Sequence, residues 1–349
     1  MTKTLPEIYA NHKARYDEAS QVPLSFGNDT EALNASGETV ALCDRSHWGL
    51  LELSGEDRLS FLHNQSTNSI SDRQPGQGSD TVFVTSTARN IDLATAYMTE
   101  EAVLLLVSPN RRQHLLQWLD RYIFPMDKVN LKDISDQWAV FSLIGPESSS
   151  LLTKLGATIA DHLTLGNHWV DQVANTSLRV AVGSGLATEG YTLIIPTEAA
   201  GNLWLSLTEA GAVPLGDRIW EQLRILQGRP APDRELTEDY NPLEAGLWGD
   251  ISFEKGCYIG QETIARLNTY KGVKQRLWGL RLSGFVEPGT VINVNDEKVG
   301  KLTSITETQE GWFGLGYIRT KAGGAGLQVS LGDITATVVA VPFLSHPES

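Results

Sequence analysis

The stretch KGCYIGQE, residues 255–262, contains Cys257, one of only two cysteines among the 349 residues of this chain. Gly256 precedes the cysteine, and Gly260 precedes a stretch with the pattern of a helix. Glycine tolerates positive φ and lets another group approach the backbone closely. The N–H groups of a helix start and the cation of Lys255 would both favour a thiolate. The stretch indicates either an exposed, acidified thiol or a small residue packed in a turn, because free cysteine is often buried.

The composition is that of an ordinary globular protein, with 41% hydrophobic and 20% charged residues. The length allows a sizeable core and two or three domains. The longest apolar runs, such as residues 102–107, are too short to cross a bilayer. The N-terminus has no apolar signal core and is too acidic for a typical transit peptide. We therefore expect a cytoplasmic protein with no membrane partner.

The cysteines and histidines give no pattern of a metal site or of a cysteine protease. Cys43 and Cys257 suggest a reducing compartment, and they are too few for an all-cysteine zinc or iron–sulfur site. The seven histidines show neither HxH nor HxxxH spacing. No histidine lies between His168 and His346, so no cysteine–histidine pair near Cys257 is supported. We expect no metal.

The charge is unevenly distributed along the chain. The net charge of −14 disfavours non-specific binding to nucleic acid, so we expect no direct nucleic-acid partner. Residues 263–281 nevertheless contain no acid and five cations, at Arg266, Lys271, Lys274, Arg276 and Arg281. This run is either a solvated basic face or a site for a small polyanion.

Hydrophobic patterns predict a mixed α+β chain that ends in an all-β module. Residues 1–37 are expected to form a tail or helix, with a loop around residues 25–38. Strands are predicted at 49–55, 81–85, 91–98 and 102–108, and helices at 55–67 (capped by Ser54), 108–123 and 216–228. Residues 229–250 contain three prolines and several acids, which indicates a long irregular loop. After Arg276 the short strands and turns are typical of a small barrel.

A weak internal repeat runs through the first two thirds of the chain. The stretch LELSGEDRLSFL at 51–62 is similar to FSLIGPESSSLL at 141–152, an offset of 90 residues. LLLVSPNRRQHLLQWL at 104–119 is similar to TLIIPTEAAGNLWLSL at 192–207, an offset of 88 residues. Two nearly equal offsets predict two similar strand–helix–strand–strand–helix units.

Two charged residues are candidates for ligand binding. Glu189 lies at a predicted strand start, after a glycine stretch that lacks the GxGxxG spacing of dinucleotide sites. Its carboxylate could hold a neutral heterocycle with adjacent N–H donors, or it could be a solvated hairpin residue. Arg224 is the unexpected charge on the 216–228 helix. It could bind a carboxylate or phosphate, or extend along the protein surface.

KGCYIGQE resembles the signature of the YgfZ family of folate-binding proteins, which is related to the aminomethyltransferase T-protein of the glycine cleavage system. The resemblance extends over roughly residues 45–340. It includes GLLELSGEDRLSFLHNQSTNSI at 49–70, TEGYTLIIP at 188–196, LRILQGRP at 223–230, NPLEAGLW at 241–248, VGKLTS at 299–304 and GLGYIR at 314–319. The cysteine motif is the specific part, and the other segments support it jointly.

The resemblance implies a GcvT-like α+β fold, a three-domain ring of two split α+β units and a C-terminal β-barrel. It places the N-terminal tail at 1–37, the first α+β unit of the folate-binding region at 38–136 and the second at 137–212. Residues 213–273 would carry the helix, the long loop and the cysteine motif back to the first unit, with the barrel at 274–349. The implied cofactor is tetrahydrofolate. The implied folate-binding residues are Glu189, Arg224, Asp92, Tyr191 and Lys271, and the implied catalytic residues are Cys257 and Lys255.

One departure bears on the activity. T-proteins carry paired aspartates after a glycine turn, whereas Asp92 here is followed by Leu93, and Ala88 and Arg89 stand in place of the glycines. Because aminomethyl transfer needs a carboxylate against the reacting amine, the broken pair weakens that reading. The resemblance to the YgfZ family implies instead a folate-dependent factor that supports iron–sulfur cluster assembly or repair and iron–sulfur enzymes such as tRNA-modifying ones, with iron–sulfur proteins or assembly factors as partners. The alternatives are a tetrahydrofolate-dependent aminomethyltransferase and a scaffold without ligand. Whether the chain is an enzyme stays open.

Overall fold

The computed structural model describes residues 4–16 and 22–346. The chain divides into two compact units. The first consists of Met1–Arg58, Arg73–Ser79 and Thr95–Glu221, and the second of Leu59–Asp72, Asp80–Ala94 and Gln222–Ser349. In the described residues, no helix combines the length and the apolar character that a membrane crossing requires.

The described residues form eight α-helices and seventeen strands. The helices are α1 Leu5–Asn11, α2 Asp29–Glu38, α3 Arg58–Gln65, α4 Arg112–Asp120, α5 Ser148–Lys154, α6 Thr197–Ala210, α7 Asp217–Gln227 and α8 Gln261–Thr269. The first eleven strands are β1 Ala41–Asp44, β2 Gly49–Ser54, β3 Gly78–Val84, β4 Asn90–Met98, β5 Ala102–Val107, β6 Asn130–Asp133, β7 Trp138–Ile144, β8 His168–Val173, β9 Thr176–Val182, β10 Gly190–Pro196 and β11 Val213–Leu215. The last six are β12 Gln275–Leu282, β13 Val291–Val294, β14 Glu297–Thr308, β15 Gly311–Arg319, β16 Gln328–Leu331 and β17 Ile334–Val339.

The internal repeat is visible in the order of the elements. The run β2-α3-β3-β4-β5-α4 is repeated as β7-α5-β8-β9-β10-α6. The sheet orders agree as well, because β6-β2-β5-β4-β3 in the five-stranded sheet corresponds to β1-β7-β10-β9-β8 in the six-stranded one, which adds β11 beside β1. The strand–helix–strand–strand–helix formula predicted for the repeat therefore lacks one strand, although all four strands of the first repeat were predicted individually.

A glycine ends the first strand of each repeat. Gly55 has φ 102° and Gly145 has φ 128°, a region that side chains disfavour. A Cβ at Gly55 would lie 2.0 Å from the carbonyl oxygen of Lys128, and one at Gly145 would lie 2.5 Å from that of Thr39. These turns explain the similarity of the two stretches. The prediction that Ser54 caps the first helix is wrong, because Ser54 belongs to β2 and α3 begins at Arg58.

The core of the six-stranded sheet in the first unit contains a cluster of aromatic side chains. Tyr9 of α1, Phe141 of β7 and Trp204 of α6 are buried together, with ring centroids 4.9 Å apart for Tyr9 and Trp204. The loop predicted around residues 25–38 is wrong, because α2 occupies most of it. Acids in the first turn of α2 suit the positive end of a helix, and Ala32, Ala35 and Ser36 are buried.

The C-terminal strands close into a six-stranded barrel with the order β12-β15-β14-β13-β16-β17. Alternate side chains fill its interior, among them Leu280, Leu302, Ile318 and Val338. The predicted α+β class with a C-terminal β-barrel is therefore confirmed.

Residues 228–260 contain only one short 3-10 helix, Trp248–Asp250, so the predicted irregular loop is present and continues to the cysteine motif. The segment is largely buried. Leu236, Leu243 and Leu247 pack with Ile264 of α8 in one apolar core of the second unit. A loop this long in a compact domain is commonly functional.

Candidate functional site

Cys257 lies exposed on a loop of the second unit, immediately before α8. The side chain of Lys255, two residues earlier, is directed inward and is only 9% exposed. The loop therefore presents the thiol to solvent and buries the neighbouring cation. Of the two interpretations of Cys257, the exposed thiol is the one that the structure supports.

The ammonium of Lys255 donates hydrogen bonds to three backbone carbonyls, those of His63, Ser66 and Asn68. The bonds to Ser66 and Asn68 are both 2.7 Å long. Burial lowers the pKa of Lys255 to about 7, against an opposing contribution from Asp72. A charged ammonium has three N–H groups for these three acceptors, whereas a neutral amine has only two. The cradle is thus matched to the protonated lysine.

Further contacts fix the same loop to the segment that ends α3. The N–H of Ser252 donates to the carbonyl of Thr67 at 3.0 Å, and the N–H of Ile259 donates to that of Asn64 at 3.1 Å. The ring of Tyr258 lies 4.8 Å from the Lys255 ammonium, within cation–π range. Residues 252–259 are therefore held at both ends and in the middle. As placed, Lys255 holds the loop, and its predicted catalytic role stays a prediction.

Replacing Lys255 with methionine is expected to lower the free energy of unfolding by about 3 kcal/mol, because it leaves one buried and two partly buried carbonyls without their donor. Urea unfolding monitored by fluorescence measures this loss. Lys274→Met is the matched control, since Lys274 is exposed, and it should change stability by less than about 0.5 kcal/mol. Equal midpoints for the two variants would contradict the anchoring role.

The two glycines of the motif differ in what they contribute. Gly260 caps α8 with φ 83°, and a Cβ there would lie 2.9 Å from the carbonyl oxygen of Thr85 and 3.2 Å from Cα of Ala88. Among the described residues other than its two chain neighbours, none has an atom within 4 Å of a Cβ at Gly256, whose φ is not positive. The positive φ and the close approach that glycine permits are both present at Gly260 and absent at Gly256. Gly260 brings the motif against the turn between β3 and β4.

That turn leads into the strand that carries Asp92. Ala88 adopts φ 60°, a left-handed conformation that glycine takes more readily. Asp92 lies on β4 and is fully buried. Its charge acts on the buried guanidinium of Arg229, together with the charges of Asp80 and Asp250.

In the described part of the chain, no group of three or more His, Cys, Asp or Glu side chains is arranged to hold a metal ion.

Burial raises the pKa of Asp250 to about 7, with a further increase from Asp80 and an opposing effect of Arg229. The backbone carbonyl of Asp250 accepts a 2.7 Å hydrogen bond from the Thr67 hydroxyl, next to the Lys255 cradle. A carboxyl with a pKa near neutrality can hold or release a proton under ordinary conditions. Asp250 is therefore a titratable residue of the second unit. Its backbone is hydrogen-bonded to the segment 63–68, which also binds the Lys255 ammonium.

Arg224 is buried in an ion pair. Its guanidinium donates to the Glu235 carboxylate at 2.8 Å and to the Ser304 hydroxyl at 2.9 Å. The Glu235 carboxylate also accepts from the Ala231 N–H and the Thr303 hydroxyl. The side chains of Arg224 and Glu235 are 3% and 0% exposed. The pair connects α7, the long loop and the barrel, and the folate-binding role of Arg224 stays a prediction.

The other predicted folate residues are more accessible. Glu189 is exposed and directly precedes β10 in the first unit, and Tyr191 is half-buried on that strand. The carbonyl of Glu189 accepts a 2.9 Å hydrogen bond from the N–H of Gly145. Lys271 is exposed in the second unit and has a φ of 48°. Arg266 and Lys274 of the basic run are exposed as well. Their roles in binding stay predictions.

Sequence reasoning missed two structural partners of the site, the 63–68 segment and Glu235. The segment was predicted as part of a helix, whereas three of its carbonyls accept hydrogen bonds from the Lys255 ammonium. Glu235 was one of several acids in the irregular loop, and no local pattern separated it from its neighbours. The sequence analysis identified both KGCYIGQE and the stretch that contains LHNQST at 62–67, but it did not predict that the two are in contact.

Comparisons with known proteins agree with this architecture. The sequence profile of the GCVT N-terminal domain matches residues 6–255. An Arabidopsis thaliana protein named "Putative transferase At1g60990, chloroplastic" is 48% identical over 330 residues, covering 93% of this chain and 76% of that protein. An aminomethyltransferase of Halothermothrix orenii is 26% identical over 360 residues, covering 99% of this chain and all of that protein. The crystal structure of the glycine cleavage system aminomethyltransferase T from Bartonella henselae superposes with a TM-score of 0.86 at 19% identity, covering 99% and 98% of the two chains. The chain therefore has the GcvT-like fold and belongs to the GCVT N-terminal domain family.

Proposed function

We propose that this chain is a YgfZ-like, tetrahydrofolate-binding factor whose Cys257 thiol supports the assembly or repair of iron–sulfur enzymes. The observation that carries the proposal is the exposed thiol on a loop that three hydrogen bonds of the buried Lys255 side chain hold in place. A cysteine that served only packing would not need an exposed position on a fixed loop. The match of KGCYIGQE to the YgfZ signature gives this thiol its proposed role.

The folate part of the proposal rests on family membership and on the predicted residues. Aminomethyltransferases are among the relatives. Glu189 would accept hydrogen bonds from the pterin ring, Asp92 would lie near the amines of the reduced folate, and Lys271 would attract its negatively charged tail. With a net charge of −14, any effect on tRNA would pass through the iron–sulfur enzymes that modify it. A cytoplasmic location stays a prediction, since the Arabidopsis relative is named as chloroplastic.

A second candidate is tetrahydrofolate-dependent aminomethyl transfer. The buried Asp92 favours it, because one carboxylate of the T-protein pair is kept. Leu93 follows Asp92, so the pair is broken and only one carboxylate is available for proton transfer. Turnover of tetrahydrofolate with an aminomethylated carrier protein, lost in Asp92→Asn, would establish this activity in place of the first.

The test of the proposed function combines binding and rescue. Calorimetry of the purified protein should show tetrahydrofolate binding, and Cys257→Ala should bind with an affinity within about twofold of wild type. In a strain that lacks the chain, wild type should restore the activity of iron–sulfur enzymes and Cys257→Ala should not. Glu254→Gln, an exposed neighbour, is the control that should restore it. Full rescue by Cys257→Ala would refute the role of the thiol, and absence of binding by wild type would refute the folate role.

A further inference from the structure

The side chain of Asn90 is buried without any hydrogen-bond partner among the described residues. Asn90 is the first residue of β4 and is only 2% exposed. Neither its amide nitrogen nor its amide oxygen has a partner, although its backbone N–H donates to the Tyr240 carbonyl at 3.1 Å. A buried polar group left unsatisfied destabilises a protein, and such groups are rare in native structures. The amide therefore calls for a partner that comes from outside the chain.

The position of Asn90 relates it to Asp92. Side chains two residues apart on a strand point to the same face. Asn90 and Asp92 thus share one face of β4, whereas Leu93 is directed to the other and packs with Val82 and Leu236 in the apolar core of the second unit. The unpartnered amide and the buried carboxylate are neighbours on a polar strip within an otherwise apolar strand.

The surrounding charges restrict the kind of ligand. Three carboxyl groups, those of Asp80, Asp92 and Asp250, act on the guanidinium of Arg229, and one further guanidinium, that of Arg224, acts on it as well. Carboxyl groups therefore outnumber guanidinium groups in these surroundings. Such surroundings disfavour an anion and favour a group that offers N–H donors. A carboxamide supplies both a donor and an acceptor, so its natural counterpart is an edge that carries both.

We propose that Asn90 is a ligand-binding residue that exchanges paired hydrogen bonds with an amide-type edge of a neutral heterocyclic ligand, a carbonyl beside an N–H. The inference rests on the proposed function, in which the ligand is tetrahydrofolate. That molecule carries one such edge, the lactam of its pterin ring, because a cyclic amide holds its carbonyl and N–H side by side. The amide that joins the benzoyl and glutamate parts is trans and directs the two groups to opposite sides. Asn90 would act beside Asp92 and add to the folate residues predicted from the sequence.

The test uses the opposite effects that a ligand-binding amide and a structural amide have on the free protein. Asn90→Leu removes an unsatisfied amide, so the melting temperature of the ligand-free protein should rise by about 2 °C. Its affinity for tetrahydrofolate should fall by about tenfold or more. Asn241→Leu is the matched control, since the buried Asn241 side chain accepts from the Glu244 N–H at 3.0 Å, and it should lower the melting temperature.

Asn90→Ala is the second variant, because leucine is larger than asparagine and could strain the strand. It should lose affinity as Asn90→Leu does. With 6-methyltetrahydropterin as the probe, Asn90→Ala should lose affinity as it does for tetrahydrofolate, because the probe keeps the lactam edge. An unchanged affinity for this probe would contradict the pairing of Asn90 with the lactam. If both variants bind tetrahydrofolate with wild-type affinity, the inference about Asn90 is wrong and the proposed function still stands. The same holds if the melting temperature of Asn90→Leu falls as far as that of Asn241→Leu. Absence of binding by the wild-type protein overturns the proposed function together with it.

Discussion

Replacing Arg224 with methionine is expected to lower the free energy of unfolding by about 3–5 kcal/mol. The reason is the position of Glu235, whose carboxylate is fully buried and would lose its only cationic hydrogen-bond partner among the bonds described above. The hydroxyls of Thr303 and Ser304 would still donate to it, at 2.7 Å and 2.6 Å, but they do not neutralise its charge. Chemical denaturation at neutral pH measures the loss.

The double variant Arg224→Met, Glu235→Leu is the control for this prediction. Removing both charges should recover most of the stability, because a buried ion pair replaced by apolar groups is often close to neutral. Arg218→Met, which breaks an ion pair with the side chain of Arg218 58% exposed, should change stability by at most about 1 kcal/mol. A loss in Arg224→Met no larger than that in Arg218→Met would contradict a structural role for the buried pair.

The same variants separate the two roles that Arg224 could have. If the double variant regains stability and also binds tetrahydrofolate like the wild type, Arg224 serves the fold. If stability returns and binding does not, the predicted contact with folate is supported. The sequence pattern alone left these readings side by side, since an arginine on an apolar helix face is compatible with both.

Much of the fold could be predicted because its signals are local. The two strand–glycine–helix turns at Gly55 and Gly145 leave similar letters in the sequence, and the barrel strands leave short alternating runs between turns. The location of Cys257 in a turn before α8 followed from glycine and helix-start patterns in eight residues. Such features depend on neighbours within a few positions, which is the range over which hydrophobic periodicity and turn chemistry act.

The partners of the site residues could not be predicted in this way. Lys255 bonds a carbonyl 192 residues earlier in the chain, and Arg224 bonds a hydroxyl 80 residues later. Every residue carries the same backbone carbonyl, so the residue types at 63–68 did not indicate that these carbonyls accept hydrogen bonds from an ammonium. The unpartnered amide of Asn90 could not be predicted either, because only the packed structure shows that no group in the described part of the chain hydrogen-bonds to it.

Gly260→Ala is expected to destabilise the protein by about 2–4 kcal/mol. Alanine is disfavoured at φ 83°, and its Cβ would lie 2.9 Å from the carbonyl oxygen of Thr85 and 3.0 Å from a methyl of Val84. Because the nearest atom belongs to backbone, the clash can be relieved only by moving α8 or the β3–β4 turn. We expect the movement to release the cysteine loop, and with it to change the rate at which Cys257 reacts with a thiol reagent. Cys43 is buried, so the fast-reacting thiol reports Cys257 alone.

Gly256→Ala is the matched control for Gly260→Ala. It tests whether the effect depends on the position of the glycine and not merely on replacing a glycine. It adds the same methyl group within the same motif, one residue from the thiol, at a site with no atom within 4 Å and without positive φ. Its free energy of unfolding and its thiol reaction rate should stay close to those of the wild type. Equal losses in both variants would mean that the motif needs glycine for flexibility along the whole loop. A loss confined to Gly260→Ala would mean that the motif acts by packing against the turn that leads to Asp92, which joins the thiol and the buried carboxylate in one rigid part of the second unit.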